Sequence, residues 1–235
     1  MFYWLAKFVA LGPLLRGIWR PWAEGVENIP EDGPVILASN HLSFCDSLFM
    51  PVMAPRKVTF LAKAEYFTTP GVKGFLSRTF LSGIGQVPID RSDSDASRAA
   101  LNTGARVLNE GMVLGIYPEG TRSPDGRLYR GKTGVARLAL ASGAVVIPCT
   151  MVNTEIIQPT GRRIPKFRPR PGVVFGQPLD FSRFAGMAGD KFVERSITDE
   201  IMYALMRQSG QEYVDLYASD VKKQLGGPRT FGAAA

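Results

Sequence analysis

The chain has 235 residues, enough for one large α/β domain or two small ones, and its 45% hydrophobic and 21% charged content excludes an intrinsically disordered protein. Lys plus Arg outnumber Asp plus Glu by 28 to 21, a formal charge of +7, so its partners are anionic: nucleic acid, phospholipid headgroups or a phosphorylated substrate. Two cysteines, Cys45 and Cys149, are too few for a disulfide scaffold and point to free thiols in a reducing compartment.

Residues 1–22 carry all three tryptophans (Trp4, Trp19, Trp22) among Phe, Leu, Val and Ile, punctuated by Lys7, Arg16 and Arg20. The longest uncharged stretch, Phe8 to Leu15, is far short of the roughly 20 residues needed to span a bilayer. No basic stretch precedes an apolar run and no small-residue cleavage site follows, which argues against a signal peptide. Aromatics interleaved with cations suit an amphipathic helix lying in a membrane interface. A first helix packed on the core is the plainer alternative.

Short apolar runs then predict strands at Val35–Ser39, Val58–Ala62, Met112–Tyr117, Val145–Met151 and Val173–Gly176. Helical periodicity runs from Ala96 to Asn109, stopping at Gly111, and from Val135 to Ala141, stopping at Gly143. Two amphipathic helices follow, one through Ile197, Ile201 and Leu205, the other from Val214 to Leu225, separated by Gly210. Strands alternating with helices predict an α/β fold with a mainly parallel or mixed central sheet flanked by helices. No internal repeat or low-complexity linker interrupts the chain. The expected organisation is an N-terminal interfacial segment (1–28), an α/β domain (29–225) and a flexible tail (226–235).

His41, the single histidine, stands five residues before Asp46. On a regular helix five residues turn about 500°, leaving the two side chains about 140° apart, so both cannot lie mid-helix and touch. The pairing requires His41 in a turn that leads into a helix, with Asp46 in the first turn or two reaching back. Asp bonded to Nδ1–H leaves Nε2 free to take a proton. The same spacing also fits an isolated loop histidine. Cys45 raises a Cys–His nucleophile as a rival, but nothing local holds it as a thiolate. One histidine and unclustered carboxylates give no ligand set for a metal.

Glu119-Gly120-Thr121-Arg122 follows a predicted strand. Gly120 permits a tight turn that exposes amides, Arg122 offers a planar fork to phosphate, and Glu119 can hold Arg122 or accept a substrate hydroxyl. An ordinary β-turn with a surface ion pair is the alternative. Gly126 to Thr133 fits the Gly-x₄-Gly-Lys-Thr nucleotide loop, yet Ser123-Pro124-Asp125 precedes it where that motif needs a strand. Arg162, Arg163, Lys166, Arg168 and Arg170 form a proline-interrupted basic stretch, either a solvated loop or a contact for anionic headgroups. No helix-turn-helix, zinc finger or aromatic stacking motif supports nucleic-acid binding.

Taken in order, these segments resemble the glycerolipid acyltransferase family, and within it the 1-acyl-glycerol-3-phosphate acyltransferases. Asn40-His41 through Asp46 resembles the family's catalytic His-x₄-Asp block. Gly85-Gln86-Val87-Pro88-Ile89-Asp90-Arg91 is similar to its second block, Glu119 to Arg122 to its phosphate-binding third, and Val146-Ile147-Pro148-Cys149 to its fourth, near the acyl pocket. Phe60 to Glu65 resembles a segment whose lysine, here Lys63, lies near the active site. The resemblance covers roughly residues 29–177, with Cys149 departing from the commoner aliphatic residue.

It implies direct transfer of a fatty acyl group from acyl-CoA or acyl carrier protein to the sn-2 hydroxyl of lysophosphatidic acid, giving phosphatidic acid without a cofactor. His41 and Asp46 would be catalytic. Lys63, Arg91, Glu119, Gly120, Thr121 and Arg122 would bind substrate. Amides near His41 or the Glu119 turn are candidates for the oxyanion. The implied setting is a membrane phospholipid surface at the cytoplasmic face of the cell membrane, with the protein peripheral or monotopic. Another acceptor (glycerol-3-phosphate, another lysophospholipid or a lipid-linked amine) and a non-catalytic lipid-binding role remain as alternatives.

Overall fold

The computed structural model describes residues 2–63, 67, 70–83, 85–89, 96–159 and 164–226. Its strands are β1 (Trp22–Glu24), β2 (Val35–Ser39), β3 (Val58–Lys63), β4 (Gln86–Ile89), β5 (Val113–Ile116), β6 (Leu128–Tyr129), β7 (Val145–Val152), β8 (Gly172–Phe175) and β9 (Tyr213–Val214). The helices are α1 (Phe2–Leu5), α2 (Leu11–Trp19), α3 (Asp46–Met53), α4 (Gly71–Gly83), α5 (Ala96–Asn109), α6 (Gly134–Ser142), α7 (Thr154–Ile157), α8 (Lys191–Ser209) and α9 (Ala218–Gly226), with a π-helical turn, Ala6–Ala10, joining α1 to α2.

Seven strands form one sheet in the order β1-β8-β7-β2-β5-β3-β4. Every pairing is parallel except β7 with β8, so the sheet is mixed. Both faces are covered, as buried parallel strands require. The period-2 alternation of β2 shows how: Val35 and Leu37 join the core against α2 and α3, while Ile36 and Ala38 join the core against α5, α6 and α8. Helix α8 starts on Asp190, whose carboxylate accepts the Phe192 and Val193 amides at 2.8 and 3.1 Å, and stops at Gly210 in the left-handed region.

The structure corrects several expected boundaries. Trp22–Glu24 belongs to the sheet as its edge strand, so the α/β domain reaches into the expected N-terminal segment. Val214 begins no helix: Tyr213–Val214 pairs with Leu128–Tyr129, and α9 starts only at Ala218. Residues 227–235, assigned to the tail, lie outside the described residues.

Helices α1 and α2 have two apolar faces. Tyr3, Lys7 and Leu15, spaced by four or eight, are buried; Lys7 Nζ donates to the Ala54 carbonyl and Arg16 Nη2 to the Val52 carbonyl at 3.3 Å. Trp4, Leu5, Phe8, Val9, Leu14 and Ile18 are exposed on the other side. One element thus packs on the core with one face and exposes apolar side chains on the other.

Candidate active site

The catalytic residues expected from the sequence come together where β2 ends. From Ser39 the chain crosses the carboxyl edge of the sheet, where open α/β sheets place their ligands. Asn40 is buried and pins this crossing to β7, its Oδ1 accepting the Met151 amide at 2.8 Å. Asp46 is the first residue of α3 and reaches back, as the 140° argument demands. Its Oδ2 lies 2.9 Å from His41 Nδ1 and accepts the Leu42 and Ser43 amides at 2.7 and 2.8 Å. An oxygen already accepting two N–H groups is an acceptor toward the imidazole too, the arrangement in which Nδ1 carries the proton and Nε2 is free to accept one. Asp46 is fully buried.

Tyr117 completes the setting of the imidazole. Its ring stacks on His41 with centroids 3.7 Å apart and planes 9° apart, while its hydroxyl and that of Ser47, on α3, are 2.9 Å apart. Phe60 stacks behind Tyr117 at 5.5 Å. Burial is the main cause holding the Tyr117 phenol well above its ordinary range, so it stays neutral beside the His–Asp pair.

Beyond β5 the chain turns sharply, the Gly120 amide donating to the Tyr117 carbonyl at 2.9 Å with Gly120 at φ 73°, where a side chain would be strained. Glu119 is 1% exposed and does not serve as the surface partner of Arg122. Its carboxylate accepts the His41 amide at 3.3 Å and the Tyr129 amide at 2.9 Å, and the Ser123 amide donates to the His41 carbonyl at 2.7 Å. Glu119 thus ties the turn to the His41 loop. Burial pushes its carboxyl up to about 7 against the pull of those amides and of Lys222.

A cleft of about 420 Å³ separates base and turn, lined among others by His41, Phe60, Tyr117, Gly120, Thr121 and Arg122. Its floor depends on Gly115: a Cβ there would stand 2.4 Å from the Phe60 ring. The amides of His41, Leu42, Ser43, Gly120 and Ser123 are all engaged within the protein. That removes most of the expected oxyanion donors. Glu119, Thr121 and Arg122 are left as the turn's N–H groups without a bond among the described residues.

Lys63 ends β3, two strands from His41 across the sheet, but its side chain lies outside the described residues, as do Arg91 and Arg162–Arg163 entirely. The fourth block is core: Val146, Ile147 and Cys149 are buried in β7, whose register sets Cys149 beside Ser39 of β2. Cys45 is not a nucleophile, because its thiol donates to Gln158 Oε1 at 3.0 Å and burial pushes it up to about 11. The Gly126–Thr133 segment springs from the turn at Ser123 and holds β6 in its middle, so the strand that a nucleotide loop needs is missing. Tyr117, Lys132 and Lys222 were not singled out from the sequence as site residues. Tyr117, immediately before the Pro-Glu-Gly-Thr-Arg run, was the one within reach of a motif argument.

A family model described as Acyltransferase matches residues 21–152. A chloroplastic 1-acyl-sn-glycerol-3-phosphate acyltransferase of Arabidopsis thaliana is 34% identical over 139 residues, 59% of this chain and 37% of that one. The enzyme of the same name from Bacillus subtilis is 28% identical over 161 residues, 68% of this chain and 73% of that one. Against the first three curated relatives, the chain spans under half of their length, between 37% and 43%. The crystal structure of the 1-acyl-sn-glycerophosphate acyltransferase PlsC of Thermotoga maritima superposes with a TM-score of 0.60 at 23% identity, covering 88% of this chain and 87% of that one, a likeness of fold.

Proposed function

The chain belongs to the acyltransferase family, and from its site we propose that it moves a fatty acyl group from an acyl thioester to the sn-2 hydroxyl of 1-acyl-glycerol-3-phosphate, forming phosphatidic acid. The observation that carries the reading is the His41–Asp46 contact of 2.9 Å opening on a cleft whose far wall is the Gly120–Arg122 turn. Nε2 of His41 takes the hydroxyl proton as the oxygen attacks the thioester carbon. The thiolate leaves as the tetrahedral intermediate collapses, and the imidazolium returns the proton to it. Asp46 holds the tautomer and offsets the imidazolium charge. The Thr121 and Arg122 amides with the Arg122 guanidinium receive negative charge in the cleft, and Lys63 and Arg91 are the further expected phosphate ligands. The donor is acyl-CoA or acyl carrier protein.

Acceptor and product are lipids, and on this reading the protein works peripherally or monotopically at the cytoplasmic face of the cell membrane. Among the described residues no helix is long and apolar enough to cross a membrane. The exposed outer face of α1 and α2 supports docking. The test is transfer from palmitoyl-CoA to lysophosphatidic acid in mixed micelles. Wild type should form phosphatidic acid, and His41→Ala should lose about 10²–10⁴-fold of the rate, the usual contribution of a positioned base. Equal rates in the two proteins would remove His41 from the chemistry.

A further inference from the structure

Beyond β9, helix α9 lays a lysine on the back of the phosphate turn. Lys222 Nζ donates to Thr121 Oγ1 at 2.8 Å, across 101 positions of sequence. The helix is held there by a built scaffold: the Leu128 amide donates to the Glu212 carbonyl at 2.9 Å, the Arg130 amide to the Leu216 carbonyl at 3.0 Å, and the Arg130 guanidinium lies 5.6 Å over the Tyr217 ring. Ala218, at the start of α9, is fully buried. The partners on this side, from Glu212 through Lys222, lie outside the residues 21–152 that match the family model, whereas Thr121, Leu128 and Arg130 lie within them.

The contact has two chemical consequences. A hydroxyl oxygen that accepts from an ammonium turns its own proton elsewhere, and Thr121 lines the cleft, so Lys222 makes Thr121 a donor toward a ligand there. Lys222 also adds charge. Arg122 lines the cleft, and Lys132 Nζ lies 3.3 Å from where a Cβ on Gly120 would stand, so three cations from three parts of the chain surround one turn whose only acid, Glu119, is buried. A phosphomonoester has its second pKa near 6 and is largely a dianion at neutral pH, whereas a phosphodiester carries one charge and a glyceride none.

We infer that Lys222 is a specificity-determining residue for the acceptor, orienting the Thr121 hydroxyl and adding the positive charge that selects a phosphomonoester dianion over a phosphodiester or an uncharged headgroup. This rests on the acyl-acceptor reading of the cleft. The test compares the wild-type chain with Lys222→Met and Lys222→Arg at pH 7.5, using short-chain lysophosphatidic acid below its micellar concentration and the monoacylglycerol of the same chain. Calorimetric Kd, KM, kcat and Tm are measured. Lys222→Met should raise the Kd and KM for lysophosphatidic acid about 5- to 20-fold, as expected for losing a charge-assisted contact. Its kcat should change less than about twofold, monoacylglycerol binding should not move, and Lys222→Arg should recover most of the affinity. Unchanged lysophosphatidic acid affinity with a lowered Tm would overturn the inference and leave Lys222 a tether for α9. Equal losses on both ligands would also overturn it. If wild type binds lysophosphatidic acid but transfers no acyl group, the proposed reaction fails while the Kd comparison still decides Lys222.

Discussion

Two carboxylates flank His41, and their surroundings give them different work. Asp46 gathers the imidazole and two amides on one oxygen, which fixes the direction of the ring. Glu119 spreads two amides over its two oxygens and is almost wholly out of water, so burial carries its carboxyl from 4.5 to about 7. Between those values the folded chain keeps a proton that the unfolded chain has released. The protein therefore binds more protons when folded, and this part of its stability, fully present below pH 4.5, is lost as pH rises through 7. The shift of 7 − 4.5 = 2.5 corresponds to about 3 kcal/mol. Wild-type Tm should fall from pH 5 to pH 8. Glu119→Gln, which titrates nowhere in that range, should flatten the profile and lose the hydrogen bond at one of its two amides. Parallel profiles for the two proteins would show that Glu119 ionises without penalty.

At the scale of elements, the site depends on a stack that runs from β5 through β3 to the His41 loop. The Phe60 ring lies over Gly115, Tyr117 stacks on Phe60 and His41 on Tyr117, so volume added at Gly115 is passed to the base. Gly115→Ala should displace Phe60, destabilise the protein by about 1–3 kcal/mol and lower kcat about 10- to 100-fold. Combining it with Phe60→Leu should restore much of the rate, a coupling read from a double-mutant cycle; strictly additive losses would break the proposed chain of contacts. The stack also marks where sequence reasoning reaches its limit. β2, β3, β5, β7 and β8 are legible because strands buried on both faces are continuous apolar runs. β1, β6 and β9 have two or three residues, too few for any period, and exist because neighbouring segments pair with them. α3 was foreseen only through the His–Asp geometry, since Pro51 inside it obscures a helical reading. His41, Asp46 and the Gly120 turn carry short-range spacing and were legible. Tyr117 as a stacking partner and Lys222 as a neighbour of Thr121 arise from tertiary packing, which spacing does not encode.

The whole molecule presents one face on which apolar and cationic groups from distant parts of the chain meet. Trp19, ending α2, stacks on Phe167 at 6.2 Å and donates Nε1–H to the Lys166 carbonyl at 2.7 Å, while Arg170 Nε donates to the Arg20 carbonyl at 2.7 Å. The basic stretch foreseen as solvated loop or headgroup contact is thus knitted to the N-terminal helices. Ile164 and Phe167 are 75% and 70% exposed, and Phe167 borders one hollow with Ile18, Trp19, Arg20, Arg168 and Arg170. On the proposed reading this face docks on an anionic bilayer, which would satisfy both its apolar and its cationic groups. Burying a Leu and a Phe is worth about 1.5–3 kcal/mol each, and each cation near an anionic surface about 1 kcal/mol. Leu14→Glu combined with Phe167→Glu should therefore reduce partitioning onto phosphatidylglycerol vesicles by at least about 10²-fold, while turnover of monomeric short-chain lysophosphatidic acid stays near wild type. Wild-type binding should weaken between low salt and 0.5 M, roughly a Debye length of 4 Å, and be weaker on phosphatidylcholine at every salt. Co-sedimentation of the double variant equal to wild type would move the docking surface elsewhere. A parallel loss of turnover on monomeric substrate would mean that the substitutions had disturbed the fold through α2 and its contacts with α3 rather than the membrane contact itself.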